Sequence, residues 1–186
     1  MLGDELSASS TARKKGELRK SSTSLYTSSQ SPESASAVTA PGGAFAHTVL
    51  VANGREQGIE RGNPVVTADG LVGLVVDVGA TYARVLMISD INAQIPVILS
   101  SSSWPGVTVG NNGTFLSLRF LPEEAAPKVG ELVLTSGHGG VLPAGVPVGR
   151  VDLVRDDFVR VRPAVDLRHL SYVSTVSYTH LTLPTT

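Results

Sequence analysis

From about Phe45 onward the chain falls into short runs rich in valine, leucine and isoleucine, separated about every eight to twelve residues by glycine, proline, asparagine or aspartate. That spacing predicts an all-β fold, a sandwich or barrel of many short strands, and helix signals are weak throughout. The runs are "HTVLVA", "PVVTA", "LVGLVVDV", "ARVLMIS", "IPVILS", "GVTVG", "TFLSLRFL", "ELVLTS", "PVGRVDLV", "FVRVRP" and "SYVSTV". Side chains alternate between the two faces of a strand. In "TFLSLRFL" this puts Leu116, Leu118 and Phe120 on one face and Ser117 and Arg119 on the other, and in "FVRVRP" it sets Val159 and Val161 against Arg160 and Arg162. Both strands are expected to be half buried. "ARVLMIS" is apolar on both faces, Val85 and Met87 against Leu86 and Ile88, which predicts a strand between packed layers. Asp69-Gly70 between two apolar runs supplies hairpin chemistry, and Asn112-Gly113 offers the same before "TFLSLRFL".

An internal comparison organises these runs. Gly62, Val65 and Thr67 in "RGNPVVTADGLVGLV" recur as Gly130, Val133 and Thr135 in "VGELVLTSGHGGVLPAGVPVGRV". Each segment then closes on Val-Gly-x-Val, at Val72-Gly73-Leu74-Val75 and Val148-Gly149-Arg150-Val151. Two similar β modules in tandem account for the recurrence, near residues 62–75 and 130–151, and the second copy is the longer by a glycine- and proline-rich centre. Modules of about 60 to 70 residues bury only a modest core alone, so they are expected to pack on each other or on a partner.

The ends read differently. Residues 1 to 38 are dominated by serine, threonine and alanine, with no apolar period, and are expected to be disordered or foreign to the fold. Residues 39–176 are expected to form the folded region, made of the two β modules. The tail 177–186, "SYTHLTLPTT", is expected to be artefactual, which sets aside His180. No window reaches the roughly 18 to 20 uninterrupted apolar residues of a membrane helix, and "LVGLVVDVGA" is broken by Asp77.

Charge and cysteine usage exclude several classes of chemistry. A formal net charge of −1 offers none of the basic surface that drives nucleic-acid binding. With no cysteine there is no disulfide framework, thiolate metal site or cysteine nucleophile. Ser136 and His138, with Asp90, supply the residue types of a serine hydrolase, yet "TSGHGG" lacks the Gly-x-Ser-x-Gly elbow. The bland reading makes Gly137, Gly139 and Gly140 backbone glycines of a turn. No Lys-Ser or Lys-Thr follows them to hold a phosphate. His47, His138 and His169 are too far apart in sequence to announce a zinc site. Glu123-Glu124 and Asp156-Asp157 sit at turn-like positions, and Trp104 beside Pro105 marks an exposed loop. No catalytic, metal or cofactor site is expected. The residues singled out are expected to be structural turn positions: Asp69, Gly70, Gly73, Gly137, Gly139, Gly140 and Gly149. A small β-barrel hydrolase using Ser136 and His138, or a sheet-edge peptide-binding module, stands as the alternative.

Read as paired β modules, the chain resembles the MreC family of bacterial rod-shape-determining proteins, with an alphaproteobacterial flavour. The resemblance covers about residues 37 to 176 and rests on Gly58-Ile59 before Gly62, the Asp69-Gly70-Leu71-Val72-Gly73 hairpin, "ISDINAQIPV" and "TSGHGGVLPAGVPVG". It implies two six-stranded β-barrel subdomains at the periplasmic face of the inner membrane, behind a membrane helix and a coiled coil. It also implies self-association and a non-catalytic scaffold role, with the actin-like MreB, the membrane protein MreD and the elongation transpeptidase and glycosyltransferase as partners, and no small-molecule substrate. Residues 1 to about 36 stand where the coiled coil should end, so a truncated or frame-disturbed sequence is expected.

Overall fold

The computed structural model describes residues 33–38, as backbone, and 47–176. Its strands are β1 (Glu33–Val38), β2 (Thr48–Val51), β3 (Pro64–Val66), β4 (Leu71–Val78), β5 (Ala83–Met87), β6 (Gln94–Leu99), β7 (Pro105–Val109), β8 (Leu116–Arg119), β9 (Leu132–Thr135), β10 (Pro147–Val154), β11 (Val159–Pro163) and β12 (Tyr172–Thr175). Between β2 and β3 lies one turn of 3-10 helix, Arg55–Gln57, the only helix among the described residues. The strands close into two antiparallel barrels, in the orders β1-β12-β3-β4-β5-β2 and β10-β11-β8-β7-β6-β9. Closure pairs every strand on both sides, so the described residues present no free edge of the kind a strand-adding peptide site needs.

A barrel of six strands is narrow and admits only medium-sized side chains. Valine and leucine runs satisfy that limit. Val51, Val65, Val72, Val75, Val85 and Val173 fill the first barrel, and Ile95, Val97, Leu99, Leu116, Val133, Val148 and Val161 fill the second. Leu116 and Leu118 are buried as their alternation predicts. Phe120 is not: it follows the end of β8, takes φ +57 and is 76% exposed. The expectation that β5 lies between two layers also fails. A barrel has one interior, so Val85 and Met87 point in while Arg84 is exposed and Leu86 only half buried. Ile88, just past the strand, is buried against the other barrel's core.

The repeated pattern corresponds to repeated wiring. The Gly62 and Gly130 amides donate to Val75 and Val151 carbonyls at 2.8 Å each, and the Val75 and Val151 amides donate back to Asn63 and Glu131 at 3.0 and 2.9 Å. Val65 faces Gly73 across β3–β4 as Val133 faces Gly149 across β9–β10. Gly73 and Gly149 thus lie inside strands and not in turns. A Cβ there would sit 2.1 Å from the Leu86 carbonyl oxygen or 2.2 Å from that of Arg162. Only glycine allows the neighbouring strand so close.

The two barrels differ in how the chain reaches them. Strands β6 to β11 make the second from one continuous segment, whereas the first takes β1 to β5 and is completed by β12, after the second barrel has been traversed. The first barrel also takes in Glu33–Val38, which pairs with β12 and β2. The expectation that all of residues 1–38 stand outside the fold therefore fails at this strand. Its serines and alanines carry no apolar pattern to announce it. Residues 1–32, 39–46 and 177–186, His180 included, lie outside the described residues.

Candidate functional site

The Ser136–Val146 loop joins β9 to β10. Gly137, Gly139 and Gly140 take φ of +76, +82 and +68, a region closed to most side chains. Thr135, fully buried, anchors both ends: its hydroxyl donates to the Pro143 carbonyl and accepts the Val146 amide at 2.9 Å. Ser136 accepts a hydrogen bond from the His138 amide, at 3.3 Å, and not from its imidazole. His138 is exposed. Asp90, the residue type that would orient a catalytic base, spends both carboxylate oxygens elsewhere, on the His47 amide (2.8 Å) and on the Asn92 amide and side chain (2.8 and 2.9 Å). The geometry does not assemble nucleophile, base and orienting acid.

What the fold assembles instead is a junction between barrels. Asp90 is fully buried there: the hydrogen bond it accepts from the His47 amide ties the crossing segment between β5 and β6 to the start of β2, and the two from Asn92 brace the segment itself. Asn112, at φ +59, donates its amide to Ser89 and accepts the Ile91 amide on its side chain, which ties the β7–β8 connection to the same crossing. Gly110 lies against it, where a Cβ would be 2.1 Å from the Asp90 carbonyl oxygen. The sequence carried only a general signal for this: an aspartate at a break between apolar runs, as in "SDIN", can take the backbone amide two residues on in an Asx turn. Beside it opens a cleft of about 420 Å³ whose walls include His47, Met87, Asn112, Arg162, Val165 and Arg168. A second, of about 440 Å³, is bounded by Asp69, Asp166, His169 and Tyr172.

The electrostatics of the region are structural in form. The Arg162 guanidinium, then that of Arg160, holds the Asp152 carboxyl below its ordinary range, with burial opposing them. Both arginines also lie over the Phe115 ring, at 5.6 and 4.3 Å. Asp166 is lowered chiefly by its hydrogen bond from His169. Glu131 is 6% exposed. Burial, its largest single influence, pushes the carboxyl up, but the amides of Ser102, Lys128 and Ser101 and the Ser102 hydroxyl together hold it below its ordinary value. Glu123, Glu124, Asp156 and Asp157 are exposed, and Trp104 packs half-buried on the second core. Among the described residues no three His, Cys, Asp or Glu side chains gather as a metal site, and no helix is long and apolar enough to cross a membrane.

Comparison with known proteins places this architecture. The family described as "Rod shape-determining protein MreC, barrel core" matches residues 38–177. The cell shape-determining protein MreC of Caulobacter vibrioides is 38% identical over 131 residues, 70% of this chain and 38% of that protein. MreC of Cereibacter sphaeroides is 36% identical over 132 residues, 71% of this chain and 44% of that protein. The chain thus spans less than half the length of these curated relatives. The crystal structure of MreC from Pseudomonas aeruginosa superposes with a TM-score of 0.75 at 30% identity, covering 80% of this chain and 100% of that one. Two others share the fold at lower identity. The major periplasmic domain of the cell shape-determining filament MreC gives a TM-score of 0.71 at 20% identity, over 80% and 99% of the two chains. MreC in its complex with penicillin-binding protein PBP2 from Helicobacter pylori gives 0.58 at 18%, over the same shares.

Proposed function

This chain belongs to the MreC family of rod shape-determining proteins, and we propose from that membership that its two barrels are a non-catalytic scaffold module of the bacterial cell-elongation machinery. The observation that carries the reading is the family match across residues 38–177, joined to a double barrel that superposes on a solved MreC over four fifths of the chain. The module organises peptidoglycan synthesis by contact, at the periplasmic face of the inner membrane, and performs no turnover. The named periplasmic domain with the same fold supports that placement.

Its partners are the elongation transpeptidase and glycosyltransferase, MreB and MreD, together with further copies of itself. A complex of the Helicobacter pylori protein with PBP2 supports the transpeptidase, and the filament named for another relative supports self-association. The hydrolase alternative loses ground because the Ser136 hydroxyl is held by a backbone amide and Asp90 is committed to other donors. The test is a chimera in which residues 33–177, with β1 included, replace the corresponding region of the Caulobacter vibrioides protein in cells depleted of their own. Rod shape is the expected outcome. Cells that accumulate the chimera yet round up overturn the reading.

A further inference from the structure

The β3–β4 and β9–β10 hairpins are closed by the same hydrogen bond: Thr67 donates its amide to Gly70, and Thr135 donates to Val146, each at 2.9 Å. Two residues lie between the first pair and ten between the second. Barrel closure needs only the shorter form, as the first barrel demonstrates, so the eight extra residues have another use. We propose that the Ser136–Val146 loop and the Asp69–Gly70 turn together form a clasp that fixes the angle between the two barrels.

Three observations support it, independent of any partner. Leu142, from the extra residues, is 6% exposed and shares one continuous core with Leu71 of the first barrel and Ile88 of the crossing segment, against which Val66 and Leu74 also pack. Val141, 53% exposed, lies beside the first barrel at the rim of this contact, with Cγ1 3.9 Å from the position a Cβ on Gly62 would take. From the other side, Gly70 at φ +155 is pressed onto the second barrel, where a Cβ would lie 2.3 Å from the Pro147 carbonyl oxygen and 3.2 Å from the Ala164 Cβ. The loop is tied at both ends by Thr135, with Gly137 closed against Ala144. Apolar side chains buried at such a junction resist sliding, because any change of angle exposes them or opens voids between them.

The absence of cysteine makes the test direct. Spin labels on Glu56→Cys and Asp156→Cys report the distance between barrels, while Glu56→Cys with Arg84→Cys, and Glu123→Cys with Asp156→Cys, report within each. The unaltered clasp is expected to give one narrow inter-barrel distance, and Gly70→Val and Leu142→Ala each to shift or broaden it while the within-barrel distances hold. A broad inter-barrel distribution in the unaltered protein overturns the proposal, and so does a narrow one that neither variant changes. Where one variant loses a within-barrel distance it has unfolded, and the other decides. If both unfold, these residues are core and not clasp, and the proposal is again overturned.

Discussion

The two barrels carry the same local wiring on different chain paths. Gly62 and Gly130, Val75 and Val151, and Gly73 and Gly149 make matching contacts, yet the second barrel is one continuous segment and the first closes only when β12 returns to pair with β3 and β1. Local sequence therefore sets strand pairing in both, while chain continuity decides how independent each barrel is. The largest test removes the returning strand. Truncation after Leu170 takes away Val173 and Thr175, both buried, and leaves β3 and β1 unpaired on one side. Loss of amide protection throughout the first barrel is expected, with strands β6 to β11 still protected in hydrogen exchange. Equal loss in both would show that the second barrel does not stand alone.

The glycine pair tests the shared wiring. Gly73→Ala and Gly149→Ala each force a Cβ to about 2 Å from a carbonyl oxygen of the adjacent strand, and each is expected to destabilise its own barrel by about 3 kcal/mol, the upper range for atoms forced into a packed interior. Faster exchange confined to β4–β5 in one variant and β10–β11 in the other checks it. An effect in one barrel alone would break the equivalence.

Much of this was legible in the sequence because it is local. Every strand with a valine or leucine period was visible, and so was the recurrence of Gly62 to Val75 at Gly130 to Val151. β1 was not, since "ESASAV" has no apolar period in its letters and joins the fold through backbone pairing with β2 and β12. Phe120 misled because alternation continues in the letters after the backbone has left the strand. The junction was least legible. Asp90, Asn112 and Leu142 gain their roles from contacts across the fold, and nothing short-range distinguishes Leu142 from any leucine in a loop.

A buried acid separates the barrels next. Asn63 accepts one amide, from Glu60 at 2.8 Å. Glu131, at the equivalent position, accepts that of Lys128 and adds the Ser101 and Ser102 amides and the Ser102 hydroxyl. Glu131→Ala orphans those donors and is expected to destabilise the second barrel by about 2 kcal/mol, against about 1 kcal/mol for Asn63→Ala in the first. The Glu131 carboxyl is lowered on folding, so its contribution is complete above the ordinary value of 4.5 and fades as pH falls through its lower folded value. Denaturant midpoints measured between pH 7 and pH 3 check the trend. A deficit in Glu131→Ala that stays constant across that range would assign the effect to packing.

The smallest effect belongs to the surface charges of the last hairpin in each barrel. Asp77 and Arg84 of β4–β5 lie 3.9 Å apart with both side chains more than half exposed, a pair that water screens almost completely. Asp152 of β10 is 14% exposed and receives Arg160 and Arg162 together, with both guanidinium groups stacked on Phe115. Asp77→Asn is expected to leave the first barrel unchanged, and Asp152→Asn to lower the second barrel's denaturant midpoint at pH 7. Because pairing lowers the Asp152 carboxyl on folding, its contribution is present above the ordinary 3.8 and disappears as pH drops through the lower folded value, so the variant and the parent should converge in acid. Raising salt at pH 7 should narrow the same gap, since Arg162 is 67% exposed and open to screening. If the gap persists in both acid and salt, Asp152 acts through the shape of the β10 bulge between Val151 and Leu153, and charge plays no part in distinguishing the two hairpins.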